Sequence, residues 1–100
     1  MIVRIFRVWI KEGHAAEWQR MVEDHSIPWM KQQEGCIAYF PGKPLDSEGL
    51  EFSMTSVWKD LDGIQTSVGE KWHEAVLFGD EAKIAERVEM HHYEVFGDAG

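Results

Sequence analysis

The sequence predicts an α+β domain whose elements run strand, helix, strand, strand, helix, strand, and three observations predict it. Residues 2–10, "IVRIFRVWI", alternate like a strand. Residues 14–33 carry apolar side chains at helical spacing, and beyond Gly35 alternating runs resume on either side of a second helical stretch. That order is a split pair of strand-helix-strand units, the ferredoxin-like sandwich: a four-stranded antiparallel sheet with both helices on one face.

Each element follows from local chemistry. In the first strand Ile2, Arg4, Phe6, Val8 and Ile10 share one face and Val3, Ile5, Arg7 and Trp9 the other, so both faces expect cover. "KEG" turns the chain into the first helix, where Ala15, Trp18, Val22, His25 and Trp29 fall within an arc of about 80°. Pro28 predicts a kink or a restart of this helix, with Ser26 as the new cap. Gly35 stops it, "CIAYF" reads as the second strand, and "PGKPLDSEG" is a surface loop. "LEFSMTSVW" is the third strand, with Phe52, Met54, Ser56 and Trp58 on one face. Asp60 caps a second helix with apolar positions Leu61, Ile64, Val68, Trp72 and Ala75, broken in two near Gly69. A short helix through Ile84 leads into the last strand, "RVEMHHYEVF".

Composition narrows the function classes. With 44% hydrophobic and 28% charged residues, the 100-residue chain reads as one domain over 1–96 with a disordered tail over 97–100. A net charge of -8 repels phosphate backbones and anionic lipid, and the ten Lys and Arg are scattered, so nucleic acid is not an expected partner. No run has the length of a membrane span, none reads as a signal peptide, and Cys36 stands alone, which together predict a cytoplasmic protein without an internal disulfide. "HEAVL" has Leu77 where a zinc-binding HExxH needs its second histidine, so no metal site is expected.

With both helices on one face, the other apolar face is left bare, and a second copy packed sheet to sheet covers it. Val3, Ile5, Trp9, Val57 and Tyr93 are the residues expected in that homodimer interface.

From "MIVRIFRVWIKEG" through "QQEGCIAYF" and "FSMTSVWKDLDGI" to "GEKWHEAV" and "HHYEVF", the chain resembles the antibiotic biosynthesis monooxygenase domain family, whose members form dimeric α+β barrels. The resemblance implies a small-molecule pocket between sheet and helices of each subunit, with Trp58 beside it. It also implies a choice of activities, since some members oxygenate phenols without metal or flavin, some degrade haem, and one fold hosts many functions. The oxygenating members use an asparagine shortly before the tryptophan, and the haem degraders one on the first strand. This chain has no asparagine, and Met54 and Phe6 stand near those places.

Several residues invite chemistry, each with a plain alternative. His25 is either a buried histidine bonded to backbone or a base facing the pocket. Arg4 lies on the helix-facing side, where a guanidinium needs a partner: a carboxylate such as Glu94, or an anionic ligand. His91 and His92 point to opposite faces and cannot share one metal ion, leaving His92 as the pocket candidate. His73, beside Trp72, is either solvated or functional, and Trp58 is a core plug, a pocket wall, or both. The five tryptophans and five methionines either fill a core or border a site for a flat aromatic.

The resulting enzyme reading is a cofactor-independent oxygenase of a hydroquinone-like aromatic. His25 or His92 removes the proton, Arg4 steadies the anion, Trp58 stacks on the ring, and Phe6, Trp29, Met54 and His73 bind the substrate. The alternatives are a non-catalytic homodimer that binds a small aromatic or haem, and a structural dimer with a filled core.

Overall fold

Alternation over residues 2–10 places β1 (Ile2–Ile10) inside the sheet rather than at its edge. The computed structural model describes residues 1–98 and 100. It adds β2 (Cys36–Gly42), β3 (Glu51–Trp58) and β4 (Ala85–Glu94) to give an antiparallel four-stranded sheet in the order β2-β3-β1-β4. The expected α+β, ferredoxin-like architecture is thus observed. Part of the tail expected over 97–100, Ala99, lies outside the described residues.

Register decides what faces the helices. Ile2 pairs with Trp58, Arg4 with Ser56 and His92, Phe6 with Met54 and Met90, and Val8 with Phe52 and Val88. Side chains of one row share a face, so the sheet presents to the helices a packed row, two rows containing Arg4 and Phe6, and another packed row. At one end Val8, Ile10, Trp18, Phe52 and Ile84 form the buried cluster. At the other, Trp58 and Ile64 are fully buried. Space opens between these two ends.

The first helix differs from expectation at Pro28. Instead of restarting at a Ser26 cap, α1 (Ala15–Met21) passes through a π-helical turn, Val22–Ser26, into α2 (Ile27–Lys31), and Ser26 keeps helical dihedrals without a capping bond. A proline cannot donate to the carbonyl one turn back and its ring crowds that turn, so a locally widened turn absorbs it. The wider turn shifts the angular phase of the stripe. His25 is consequently exposed, while Trp29 stays half-buried.

α3 (Leu61–Val68) starts as predicted, with the Asp60 carboxylate accepting from Gly63 N–H at 2.8 Å. It stops at Gly69, whose φ of +87° ends a helix. The second helical piece expected through Trp72 and Ala75 does not form, and residues 70–80 are turns and irregular chain leading to α4 (Glu81–Ile84). Gly35 and Gly63 seal the Trp58 end: a Cβ on Gly35 would lie 2.8 Å from Gly63 Cα and 3.5 Å from the Trp58 ring.

The opposite face carries Val3, Ile5, Trp9 and Val57, all half-buried, with Tyr93 55% and Phe40 59% exposed. Arg7 crosses it to Glu51 at 2.8 Å, and Arg7 and Arg87 lie over the Trp9 ring. No helix among the described residues is long and apolar enough to cross a membrane.

Candidate functional site

The open rows of the sheet become a hollow of about 60 Å³ beneath the helical rod. Phe6, Met54, Ser56 and Met90 form its floor, Ser26, Trp29 and Met30 its roof, and Val76, Phe78 and Glu81 one side. Ser56 makes the space: a small residue opposite Arg4 leaves a gap that a leucine would fill. Its hydroxyl accepts from Trp58 Nε1–H at 2.9 Å.

Arg4 is the anomaly of this wall. It is 5% exposed, and its guanidinium donates to the Glu74 carbonyl at 3.1 Å and to the Met90 sulfur at 3.4 Å. Glu94, the expected carboxylate partner, is exposed and pairs with Ile2 along the sheet. Among the described residues no carboxylate forms a salt bridge with Arg4. Burial without a counter-ion disfavours the charged form and pushes the Arg4 guanidinium down to about 10.

Glu81 is the second buried charge and one that sequence reasoning missed. Only 2% exposed, it opens α4, and its Oε1 accepts from Phe78 N–H. Burial pushes its carboxyl above the usual range, against the Phe78 N–H and the charge of His25, which pull it down. From the first residue of α4 its side chain reaches back three residues, to the backbone of the turn that precedes the helix. The one signal in the sequence was therefore the spacing of "FGDE", which reads as loop chemistry rather than as a buried acid.

The remaining candidates sort cleanly. Arg4, Phe6, Trp29 and Met54 share the hollow. His25 does not: it lies in an outer groove with Asp24 and Asp80, separated from the hollow by Trp29 and Phe78, whose rings are 5.7 Å apart and line both spaces. His73 is exposed against Trp72. His92 is half-buried under Trp72, ring centroids 4.9 Å apart, and lines a separate shallow hollow beside Leu61 and Lys59. Its Nε2 is buried with no partner, and burial, then the charges of Arg4, His73 and His91, push its pKa down. Trp58 is 0% exposed and absent from the pocket wall, so it plugs the core and touches the site only through Ser56.

The family model described as antibiotic biosynthesis monooxygenase matches residues 1–76. The chain belongs to the antibiotic biosynthesis monooxygenase family. Arg4, Phe6, Trp29 and Met54 fall inside the matched segment, and Glu81 and β4 beyond it. A solved protein of this family from Deinococcus radiodurans, described as a putative monooxygenase, superposes with a TM-score of 0.77 at 17% identity, covering 100% of this chain and 97% of that one. SnoaB from Streptomyces nogalater, a cofactor-independent oxygenase, superposes with a TM-score of 0.71 at 13% identity over 97% of this chain and 94% of its own. MhuD, solved with two manganese protoporphyrins per active site, gives 0.72 at 16% identity over 100% and 99%. No curated protein matches the chain by sequence.

These likenesses carry the fold, and the residues must speak for the ligand. Haem does not fit: no histidine lines the hollow to ligate an iron, and about 60 Å³ is far too little for a porphyrin with the side chains where they stand. One aromatic ring needs more than twice that room, since an apolar cavity of about 150 Å³ takes up benzene. Here three methionines, Met30, Met54 and Met90, border the space, and their unbranched side chains repack readily.

Proposed function

We propose that the chain is a cofactor-independent oxygenase of a small phenol or hydroquinone. The single observation that carries this reading is Arg4, a guanidinium held without a salt bridge among the described residues on the wall of a mostly apolar hollow. Such a site disfavours its own charge until an anion arrives, and a phenolate oxygen supplies one. The ring would lie among Phe6, Trp29 and Met54 with its oxyanion on Arg4. In the water-poor hollow the anion then gives one electron to dioxygen. With His25 and His92 outside the hollow, proton removal falls to a group on its own wall.

A non-catalytic binder of the same ligand is favoured by a different observation. Met54 stands in the wall near the place where the family resemblance expects an asparagine, and a thioether donates no hydrogen bond to a bound oxygen intermediate. Both readings keep a homodimer closed over the bare sheet face around Val3, Ile5, Trp9, Val57 and Tyr93, and a cytoplasmic location. Oxygen uptake with a panel of phenols and hydroquinones separates them. The oxygenase predicts uptake above the spontaneous rate that disappears in Arg4→Met; ligand binding without uptake across the panel leaves the binder.

A further inference from the structure

We propose that Ser56 is a specificity-determining residue of the hollow, its hydroxyl donating to a second oxygen of the ligand while Arg4 holds the first. The ligand class is then a ring with oxygens at opposite ends, a hydroquinone. The inference rests on the reading that the hollow binds a phenol, and it names what the far end of that phenol carries.

A serine hydroxyl has one hydrogen to donate and two lone pairs with which to accept. In Ser56 one lone pair is taken by Trp58 Nε1–H at 2.9 Å, and both residues are buried, Ser56 1% and Trp58 0% exposed. That bond anchors the hydroxyl oxygen and polarises it, which makes the remaining O–H a better donor. Among the described residues no carbonyl or carboxylate takes up that hydrogen. A donor buried in this way costs stability until something accepts from it. Ser56 borders the hollow and Trp58 does not, so the place for an acceptor is the hollow itself.

The charged donor stands apart from it. Arg4 and Ser56 are register partners on β1 and β3 and line the same hollow. The Arg4 guanidinium, however, is drawn the other way, toward β4, by its bond to the Met90 sulfur at 3.4 Å. One donor belongs to the β3 side and the other to the β4 side, a separation of up to two strand spacings, about 10 Å. Donors that share one oxygen lie within about 6 Å of each other, since each stands about 3 Å from it. Two oxygens held apart by a ring suit the wider arrangement, the ionised one on the guanidinium and the neutral one on the hydroxyl. Between them the ring would lie on Phe6 and Met54, which pair in the next row of the same floor.

The test compares hydroquinone with 4-methylphenol, which has the same shape, a similar acidity and a methyl group in place of the second oxygen. Binding is measured without dioxygen, so that no turnover intervenes. The wild-type protein should hold hydroquinone roughly 2- to 12-fold more tightly, the worth of one neutral hydrogen bond. Ser56→Ala, or Ser56→Cys if the loss of an acceptor for Trp58 unfolds the alanine variant, should bring the two dissociation constants together by weakening hydroquinone. A serine kept only to satisfy Trp58 would lose stability on substitution and leave the ratio of the two affinities where it was. Equal affinities in the wild type, or a preference that survives the substitution, overturn the proposal. A second readout needs no variant: a hydroxyl that donates becomes a stronger acceptor, so the Trp58 indole N–H resonance should move downfield with hydroquinone and not with 4-methylphenol. Equal shifts overturn the proposal too. If neither probe binds the wild type, or both bind unaffected by Arg4→Met, the pocket reading itself fails and takes this inference with it.

Discussion

Replacing Arg4 by methionine separates a residue kept for packing from one kept for a ligand. Burial pushes the guanidinium from its ordinary value down to about 10 in the fold, so keeping it charged at neutral pH costs about 3 kcal/mol at roughly 1.36 kcal/mol per unit. The sign is that of a base with a lowered folded-state pKa: the cost is present in full below about pH 10 and is relieved above it. Against this stand the bonds to the Glu74 carbonyl and the Met90 sulfur, worth together about 2 kcal/mol. Arg4→Met, which keeps the apolar stem, should therefore leave the unliganded protein as stable as the parent or up to about 1 kcal/mol more stable. Truncating a packed core residue instead loses about 2–5 kcal/mol. Binding of 4-nitrophenol should move the other way, losing about 1.5–3 kcal/mol with the charged donor, or roughly 10- to 150-fold in Kd. Urea unfolding followed by tryptophan fluorescence gives the first quantity and absorbance titration the second. A variant less stable by about 2 kcal/mol that binds as tightly as the parent would refute the assignment.

Other outcomes follow from the same physics. Burial raises the folded-state pKa of Glu81, so its penalty is present above that pKa and vanishes as pH falls to the ordinary carboxyl range; Glu81→Gln should stabilise the protein in urea at pH 8 and lose that advantage near pH 4. His92 has its pKa pushed down, so its protonation in acid costs stability, and His92→Phe should flatten the fall in midpoint between about pH 7 and pH 5. Gly35→Ala places a methyl 2.8 Å from the Gly63 backbone, where no side chain can yield, and should cost about 1–3 kcal/mol by thermal melting. Val57→Asp, on the bare sheet face, should convert the proposed dimer to monomer by analytical ultracentrifugation at micromolar concentration without changing far-ultraviolet circular dichroism.

The sheet and the side of it that carries the site were legible because strand parity is rigid. Arg4, Phe6, Met54 and Trp58 face the helices as the alternation of residues 2–10 and 50–58 requires. Helical phase proved more fragile. A proline that the chain absorbs by a π-helical turn moved His25 out of the stripe, and no pattern of apolar spacing announces where a turn widens. Gly69 did announce a break, but its positive φ ended the helix outright, which left His73 on an irregular segment in place of a helix face. Glu81 was illegible for another reason. Burial of an acid depends on what folds over it, here the rod bearing Ser26 and Trp29 some fifty residues earlier in the chain. Trp58, expected from the sequence to stack on the ring as a pocket wall as well as a plug, is only the plug, and its link to the site runs through the Ser56 hydroxyl two residues away.

The central claim is that the hollow walled by Arg4 and three methionines takes up a small acidic aromatic. Methyl-labelled methionine gives five probes, of which Met30, Met54 and Met90 line the hollow and Met1 and Met21 lie outside it. On titration with 4-nitrophenol, the methyl resonances of Met30, Met54 and Met90 should shift in wild-type protein, those of Met1 and Met21 should stay, and Arg4→Met should abolish the response at the same concentrations. Shifts confined to Met1 or Met21, or none at any site, would contradict the claim.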